Sequence, residues 1–494
     1  MDRKYQYWLW GIFLATFIIR IIIAFTVPHF TYESYFHLRQ VEQISQTGLP
    51  LYNDPLSYGG RQTIFLPFFQ YFMAFFDFFL PLEFAAKIIP NLLLASLVLL
   101  VYLIAKKITA HEPASLWAAL IAGFLPTLFT PNAFTPKVLF LPLLFLNIYA
   151  FLNLKDKKYL YVYILTFLLL CLTSGSTALI IIGMGIYLLL RALESKKIEA
   201  DELELIIFSV FFFIWSQFLF FKSTFLSEGL SFIWKNIPPQ IISQYFPEIS
   251  ITQALVLVSI IPFLAGIYVV FRSLFQLKNQ PAFFLISLVV STTLLAWLKL
   301  LEFQLSLAFF GIILAILFAI FYQESSAYLG QTKLSRVYQC YPFIILALLA
   351  ISTIYPAVAT AFNQDTPTDS EIEAFRWLDE NTPEDAGVLA LLEEGHLVTY
   401  YAQRRNIMDD RFGSVRNIEQ RFQDLNSLFT TSFETQALAL LEQYQVQYLV
   451  LTPAAQQKYD LAKFRYFTRG CFQREYEQEG TKIYMVKCTL QELP

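Results

Sequence analysis

Long apolar runs separated by short polar breaks fill residues 1–360, and beyond Asn363 the pattern changes. The runs lie near 7–27, 84–105, 114–130, 137–153, 159–174, 177–191, 203–221, 252–271, 281–298, 303–322 and 338–360. Each reads as a helix crossing about 30 Å of hydrocarbon, so about eleven spans are expected. Residues 34–47 have a different spacing. Phe36, Val41 and Ile44 fall near one face, with Arg39, Gln40, Glu42 and Gln43 elsewhere. That predicts an amphipathic helix, lying in the membrane interface and stopped at Gly48-Leu49-Pro50.

Residues 64–80 are aromatic and apolar but interrupted by Pro67 and Asp77. Positive charge decides how to treat them. If this stretch lies on the outer surface, Lys106-Lys107, Lys155–Lys158, Arg191–Lys197, Arg272–Lys278 and Lys333–Arg336 all fall inside. If it is a span, all five fall outside, against the tendency of basic loops to stay cytoplasmic. The expected topology therefore has the N-terminus inside and the tail outside. Met1-Asp2-Arg3-Lys4 precedes the first run and no small-residue cleavage site follows it, so it reads as a retained helix.

After Asn363, Asp369–Asn381 reads as a helix with Ile372, Phe375, Trp377 and Leu378 as its apolar positions. Gly387–Leu392 and Val446–Leu451 read as buried strands, with helices at Glu394–Gln403 and Glu434–Tyr444. The alternation predicts a small α/β layer domain over 361–494, attached to a helical membrane domain over 1–360 whose first outer loop is 28–63. Cys471–Cys488 reads as a hairpin turning at Glu479-Gly480. That turn sets Cys471 opposite Cys488 in a non-hydrogen-bonded pair, with Cα atoms about 4.5 Å apart. A disulfide is expected, which implies an oxidising exterior. Cys171 and Cys340 sit within spans and read as packing.

Composition agrees with this division. The chain is 56% hydrophobic and only 15% charged, where soluble domains carry about 25% charged residues. Residues 1–360 hold 22 Lys and Arg against 17 Asp and Glu, and residues 361–494 hold 13 against 21. Neither part has a strongly basic face, so nucleic acid is not an expected partner. The expected location is the plasma membrane, multi-pass, with the bilayer as a partner.

The topology gathers a short list of polar segments on the outer face: the first loop, Thr130–Lys137, Thr173–Thr177, 222–250 and Lys299–Glu302. Charged residues at the mouth of a membrane bundle are functional candidates. Glu33 stands directly after the first span, and His37 lies one helical turn further on. Arg61 follows Gly59-Gly60, where missing side chains allow a ligand close approach. Lys137 and Lys299 are basic residues at outer span ends, and Glu302 is a partner for Lys299. Asp54 is expected to cap the turn before Pro55.

Tyr32-Glu33-Ser34-Tyr35-Phe36-His37-Leu38-Arg39, followed by the stretch from Gly48 to Arg61 with Asp54-Pro55-Leu56-Ser57-Tyr58-Gly59-Gly60-Arg61, resembles the first loop of the glycosyltransferase-C superfamily. The nearest resemblance is to relatives of the oligosaccharyltransferase catalytic subunit, alongside dolichyl-phosphate mannosyltransferase-like enzymes. Trp377-Leu378-Asp379-Glu380-Asn381-Thr382-Pro383 and the stretch Gly395–Asp410 resemble the start of that family's soluble domain. The resemblance implies a polytopic α-helical membrane glycosyltransferase with a small extracytoplasmic α/β domain. Such an enzyme moves a sugar or oligosaccharide from a polyprenyl-phosphate-linked donor to an extracytoplasmic acceptor.

By the same resemblance Glu33 matches the family's first-loop acid. Ser227 and Glu228, within Phe225–Glu228, match its late-loop motif. Glu33 and Glu228 are then the catalytic candidates, and the ligands of any divalent cation (Mg or Mn). Arg39, Arg61, Lys137 and Lys299 are candidates for the donor phosphate, and His37, Tyr58 and His396 for substrate binding. The chain departs from the family at the second outer loop, where Asn132 and Lys137 stand in place of an acidic pair. It departs again at Leu391–Gly395, where only Gly395 of the acceptor-reading motif is kept. An O-linked transfer stays open beside asparagine glycosylation. So do a lipid-binding scaffold of the same fold and, with no inverted repeat evident, a transporter or flippase.

Overall fold

The structure is a computed structural model that describes residues 3–195, 199–229, 250–273, 280–331, 335–412, 415, 417–467 and 470–490. It begins with helices α1 (Arg3–Thr26), α2 (Ser34–Thr47), α3 (Phe68–Asp77), α4 (Leu82–Thr109), α5 (Glu112–Gly123), α6 (Lys137–Phe151), α7 (Lys157–Thr173), α8 (Ala178–Leu193) and α9 (Ala200–Glu228). Local chemistry sets several of the ends. Gly48 takes φ 77° and donates its N–H to the Ile44 carbonyl, closing α2. Asp156 accepts from the Lys158 N–H to open α7. Thr368 and Glu371 form a reciprocal capping box that starts the tail helix Asp369–Asn381.

Six helices among the described residues are long and apolar enough to cross a membrane: Arg3–Thr26, Leu82–Thr109, Gly175–Leu193, Ala200–Leu226, Phe303–Gln331 and Gln339–Phe362. The run expected at 252–271 forms two apolar helices, Thr252–Val258 and Ile260–Arg272, that meet at 88°, the geometry of a broken span or a re-entrant loop. Its corner is Ser259, at φ 73°, whose hydroxyl bonds Thr353 at 2.5 Å. The other four expected spans are shorter helices. They are α5, α6, α7 and Gln280–Trp297, of 12, 15, 17 and 18 residues. At about 1.5 Å per residue the shortest rises only about 18 Å. The apolar run continues to residue 130, but the α-helix stops at Gly123 and a tight turn at Pro126–Leu128 follows. The buried helix Phe303–Gln331 is the centre of the bundle. Neighbours come close where side chains are small: a Cβ on Gly266 would lie 2.2 Å from Leu314, and one on Gly183 would lie 2.5 Å from Leu288.

Residues 64–80 do not form a span; α3 covers 10 of them. The expected amphipathic helix forms as α2, with the expected bounds. It is enclosed rather than laid in an interface: Tyr35, Phe36, Leu38 and Val41 are buried, and so are His37 and Gln40. What covers it is the tail. Tyr35 meets the rings of Tyr400 and Tyr401 at 5.4 and 5.3 Å, and Glu42 accepts from the Tyr400 hydroxyl at 2.6 Å.

The tail carries a five-stranded sheet in the order β4-β3-β5-β7-β6. Its strands are β3 (Gly387–Leu389), β4 (Arg405–Asn406), β5 (Val446–Leu451), β6 (Phe472–Gln478) and β7 (Thr481–Val486); β1 (Asn53–Asp54) and β2 (Arg61–Gln62) pair within the first loop. β3 runs parallel to β4 and β5, and the β6–β7 hairpin closes the sheet antiparallel. Cys471 and Cys488 are joined with Cα atoms 5.1 Å apart. The two do not face each other in the ladder. An irregularity between Arg474 and Tyr476 shifts the register by one, so Phe472 pairs with Val486 and the bridge forms just past the last strand residues.

Several expected features lie outside the described residues: Lys196, Lys197, Lys278, Lys333 and the stretch Trp234–Pro239. The side chains of Ser227, Glu228 and Arg336 are likewise outside them. α9 continues through the segment expected to open the long loop and ends at Glu228.

Candidate active site

The first loop is fixed from below by buried polar groups. Arg20 of α1 donates to the Asn91 side chain at 3.0 Å and to the Leu128 carbonyl at 2.9 Å. Lys87 donates to the carbonyls of Val27 and Pro28. Asn132 donates to the carbonyls of Val27 and His29 at 2.8 and 3.0 Å, and its own carbonyl receives the Thr31 N–H. Asn132 therefore holds the backbone that carries Glu33.

Glu33 sits at the head of α2, half-buried, between two cations. Its Oε1 accepts from Arg411 at 3.0 Å, and its Oε2 lies 3.9 Å from the Lys137 ammonium. Lys137 also bonds Glu302 at 2.5 Å, so the expected Glu302–Lys299 pairing is replaced by one between distant loops. Two cavities meet at this group. The larger, about 570 Å³, has an apolar wall that includes Leu94, Val138 and Leu141 and a polar wall that includes Thr31, Thr130 and Gln364. The smaller, about 290 Å³, is bounded by His37, Phe65, Phe140, Ser174, Ser176 and Arg411. Glu33, Lys137 and Glu302 line both. Four of the polar segments expected on one face thus converge here.

His37 is buried beneath Glu33. Burial first, then the charges of Arg411, His396 and Lys137, hold its ring well below the usual histidine range, so it is neutral. Arg411 has only N–H donors and lies 2.7 Å from Nε2, which must accept. The proton then rides on Nδ1, 2.7 Å from the Gln70 amide. Gln70 receives it with its carbonyl oxygen, an orientation assigned from the network that also gives its otherwise unpartnered Oε1 a bond. His37 is thus a fixed acceptor that aims Arg411 at Glu33. The Phe36 ring supports the same guanidinium from 4.6 Å.

A second polar knot lies behind Arg411 and joins the first loop to the tail. Asp409 accepts from Arg61 at 2.9 Å and the Arg411 N–H at 3.0 Å on one oxygen. On the other it accepts from Ser57 at 2.6 Å and Asn406 at 3.2 Å. Burial opposes the charge on Asp409, but Arg61 and His396 outweigh it and hold the carboxyl below its usual range. Asp410, which lines the larger cavity, pairs with His396 Nε2 at 2.6 Å. Burial opposes the charge on His396, and Asp410 and Asp409 overcome it, raising its pKa.

Several expected ligand-binding residues are committed to this clasp. Tyr58, at φ 56°, donates its hydroxyl to the Asp409 carbonyl and lies between Arg61 and Arg421. Arg61 also donates to the Arg411 carbonyl. Arg39 grips Asp54 with two bonds of 2.7 and 3.0 Å, while Asp54 accepts from the Leu56 and Ser57 N–H groups. Lys299 is exposed in a turn at φ 57°. None of Arg39, Tyr58, Arg61, Lys299 and His396 lines either cavity. Arg411, which lines the smaller cavity and bonds Glu33, is the site residue that sequence reasoning missed. Its only signal was its place directly after Asp409-Asp410, at the end of the family-like stretch.

His396, Asp409 and Asp410 bring ligand atoms within 4.8 Å of one another, a spacing that suits a divalent ion. Asp409 contributes least there, because four donors already engage its oxygens. At Glu33 the residues do not fit an ion, since cations face both carboxylate oxygens. At about 4 Å, with an effective dielectric of about 20, a divalent ion and one such cation repel by roughly 8 kcal/mol.

No family model and no curated protein matches the chain. Solved structures do. Archaeal oligosaccharyltransferase AglB from Archaeoglobus fulgidus, in complex with an inhibitory peptide and a dolichol-phosphate, aligns with a TM-score of 0.70 and 15% identity, over 99% of this chain and 75% of that one. ArnT from Cupriavidus metallidurans bound to undecaprenyl phosphate aligns with a TM-score of 0.56 and 10% identity, over 98% of both chains. The Archaeoglobus fulgidus oligosaccharyltransferase complexed with Zn and sulfate aligns with a TM-score of 0.65 and 15% identity, over 98% of this chain and 74% of that one. The chain therefore shares the fold of these solved structures.

Proposed function

We propose that this protein is a multi-pass membrane glycosyltransferase that moves a sugar or oligosaccharide from a polyprenyl-phosphate carrier to an extracytoplasmic acceptor. The observation that carries the reading is the shared wall of Glu33, Lys137 and Glu302 between two cavities. A transferase must bring two substrates to one carboxylate from different sides, and this wall supplies such a carboxylate. Glu33 takes the proton of the acceptor as the new glycosidic bond forms. Lys137 and Arg411 offset the negative charge that collects on the departing phosphate. His37 is a positioning residue, acting through Arg411. The apolar wall of the larger cavity gives a lipid-linked or apolar group a place to lie. The spacing that suits a divalent cation occurs at His396, Asp409 and Asp410.

The relatives' polyprenyl phosphates, dolichol-phosphate for AglB and undecaprenyl phosphate for ArnT, support the donor class. The Cys471–Cys488 bridge supports an outward-facing tail and a plasma-membrane location. The test is mass spectrometry of lipids that co-purify with wild type and with Glu33→Gln. The expected result is polyprenyl phosphate in both, with more of the sugar-loaded form in the variant, as a stalled transferase would hold it. Absence of polyprenyl lipid from both samples would overturn the reading.

A further inference from the structure

The family resemblance implies a divalent cation against the first-loop acid, yet the group around Glu33 is already supplied with positive charge. Arg411 reaches one carboxylate oxygen at 3.0 Å and Lys137 stands 3.9 Å from the other. Neither is a casual surface contact. Arg411 is aimed by neutral His37 at 2.7 Å, backed by Phe36, and set at the end of a loop whose Asp409 has both oxygens engaged. Lys137 begins α6 and is held by Glu302 from a distant helix start. It occupies the outer loop where the family keeps acids, so one residue both removes a metal ligand and adds a charge of the metal's own sign.

We propose that Lys137 and Arg411 are the resident cations of this site, standing where a divalent ion would stand against Glu33. Glu33 is therefore not a metal ligand. The pair neutralises the donor phosphate as two side chains with fixed N–H donors, whose geometry is set by protein packing rather than by coordination. Any divalent ion the protein takes up is confined to the His396 and Asp410 side of the clasp. The inference concerns ion occupancy alone. It is tested without turnover, so it can fail while the transfer reading stands, and the reverse.

The experiment is titration of the purified full chain in detergent with Mn²⁺ after chelation. Bound Mn²⁺ is read by electron paramagnetic resonance, with the thermal unfolding midpoint as a second measurement. Two results support the proposal: no stoichiometric binding by wild type, or binding that Glu33→Gln leaves unchanged and His396→Gln abolishes. Any wild-type Mn²⁺ signal lost or weakened tenfold in Glu33→Gln overturns it. Lys137→Asp is the complementary variant. Removing one resident cation and adding a carboxylate beside Glu33 and Glu302 should create a Mn²⁺ site that a further Glu33→Gln change removes. A folded Lys137→Asp protein that gains no Mn²⁺ overturns the view that Lys137 takes the ion's place. Should that variant not fold, the wild-type and Glu33→Gln titrations still decide the matter.

Discussion

Arg61 pairs with Asp409 inside the clasp at 2.9 Å, and the cost of removing it follows from the burial of the pair. Its side chain is 6% exposed and that of Asp409 is 1% exposed, so the pair is dry. Arg61→Met leaves Asp409 charged and buried without its ionic partner, which typically costs about 3–5 kcal/mol. Asp409→Asn keeps the side-chain shape and an acceptor for Ser57, but strands the guanidinium between a carbonyl and the Tyr58 ring. The cost should be of similar size. Because each change destroys the same interaction, the double variant should lose about as much as either single one. That gives a coupling of about 3–5 kcal/mol, the size of one single change.

The assay is amide hydrogen exchange in detergent. The Asn406 N–H donates across the clasp to the Leu56 carbonyl at 3.0 Å, so peptides covering 53–62 and 405–411 report its opening. A loss of about 3 kcal/mol speeds exchange there roughly 100-fold, while peptides of the bundle interior stay unchanged. Single changes whose effects add to within about 0.5 kcal/mol would refute the clasp. So would exchange that Arg61→Met leaves untouched while donor binding falls, which would return Arg61 to the phosphate.

Two further outcomes test the tail. Burial, and then the charge of Glu371, raises Glu394 to about 8, so the folded tail holds it protonated where the unfolded chain does not. That contribution is full below the unfolded value of about 4.3 and is lost as pH rises through about 8. Glu394→Gln should therefore flatten the fall of the tail's unfolding midpoint between about pH 4.3 and 8, and an unchanged slope there would contradict the assignment. Gly395 has no room for a side chain: a Cβ would lie 2.3 Å from the Met408 carbonyl oxygen and 2.8 Å from the Asp409 Cβ. Gly395→Ala should displace the loop that carries Arg411. The expected result is lost transfer and faster exchange over 405–411 with the helical circular dichroism intact; full activity would show that the loop tolerates the shift.

The sequence alone carried the features that depend on local pattern. Apolar periodicity defined α2 to the residue and placed the helices of the bundle. The change in composition after Asn363 marked the start of the tail, and two cysteines flanking a Gly-containing turn announced their bridge. The topology expected from the basic loops groups Glu33, Lys137, Ser174 and Glu302 on one face, and all four line the smaller cavity. Helix length was harder to read, because a run such as 114–130 stays apolar through the proline turn at Pro126 that ends it.

Which charge meets which was decided only by tertiary structure. Arg39 and Arg61 read as candidates for the donor phosphate; in the fold Arg39 is tied to Asp54 within the first loop and Arg61 to an aspartate 348 residues away. Lys299 and Lys137 look alike in the sequence, but only Lys137 begins a helix facing Glu33. Arg411 gives no signal of its own, since its role exists only when the tail folds back over α2. A charged side chain takes its function from the partner that desolvates it, and that partner is set by packing between segments hundreds of residues apart.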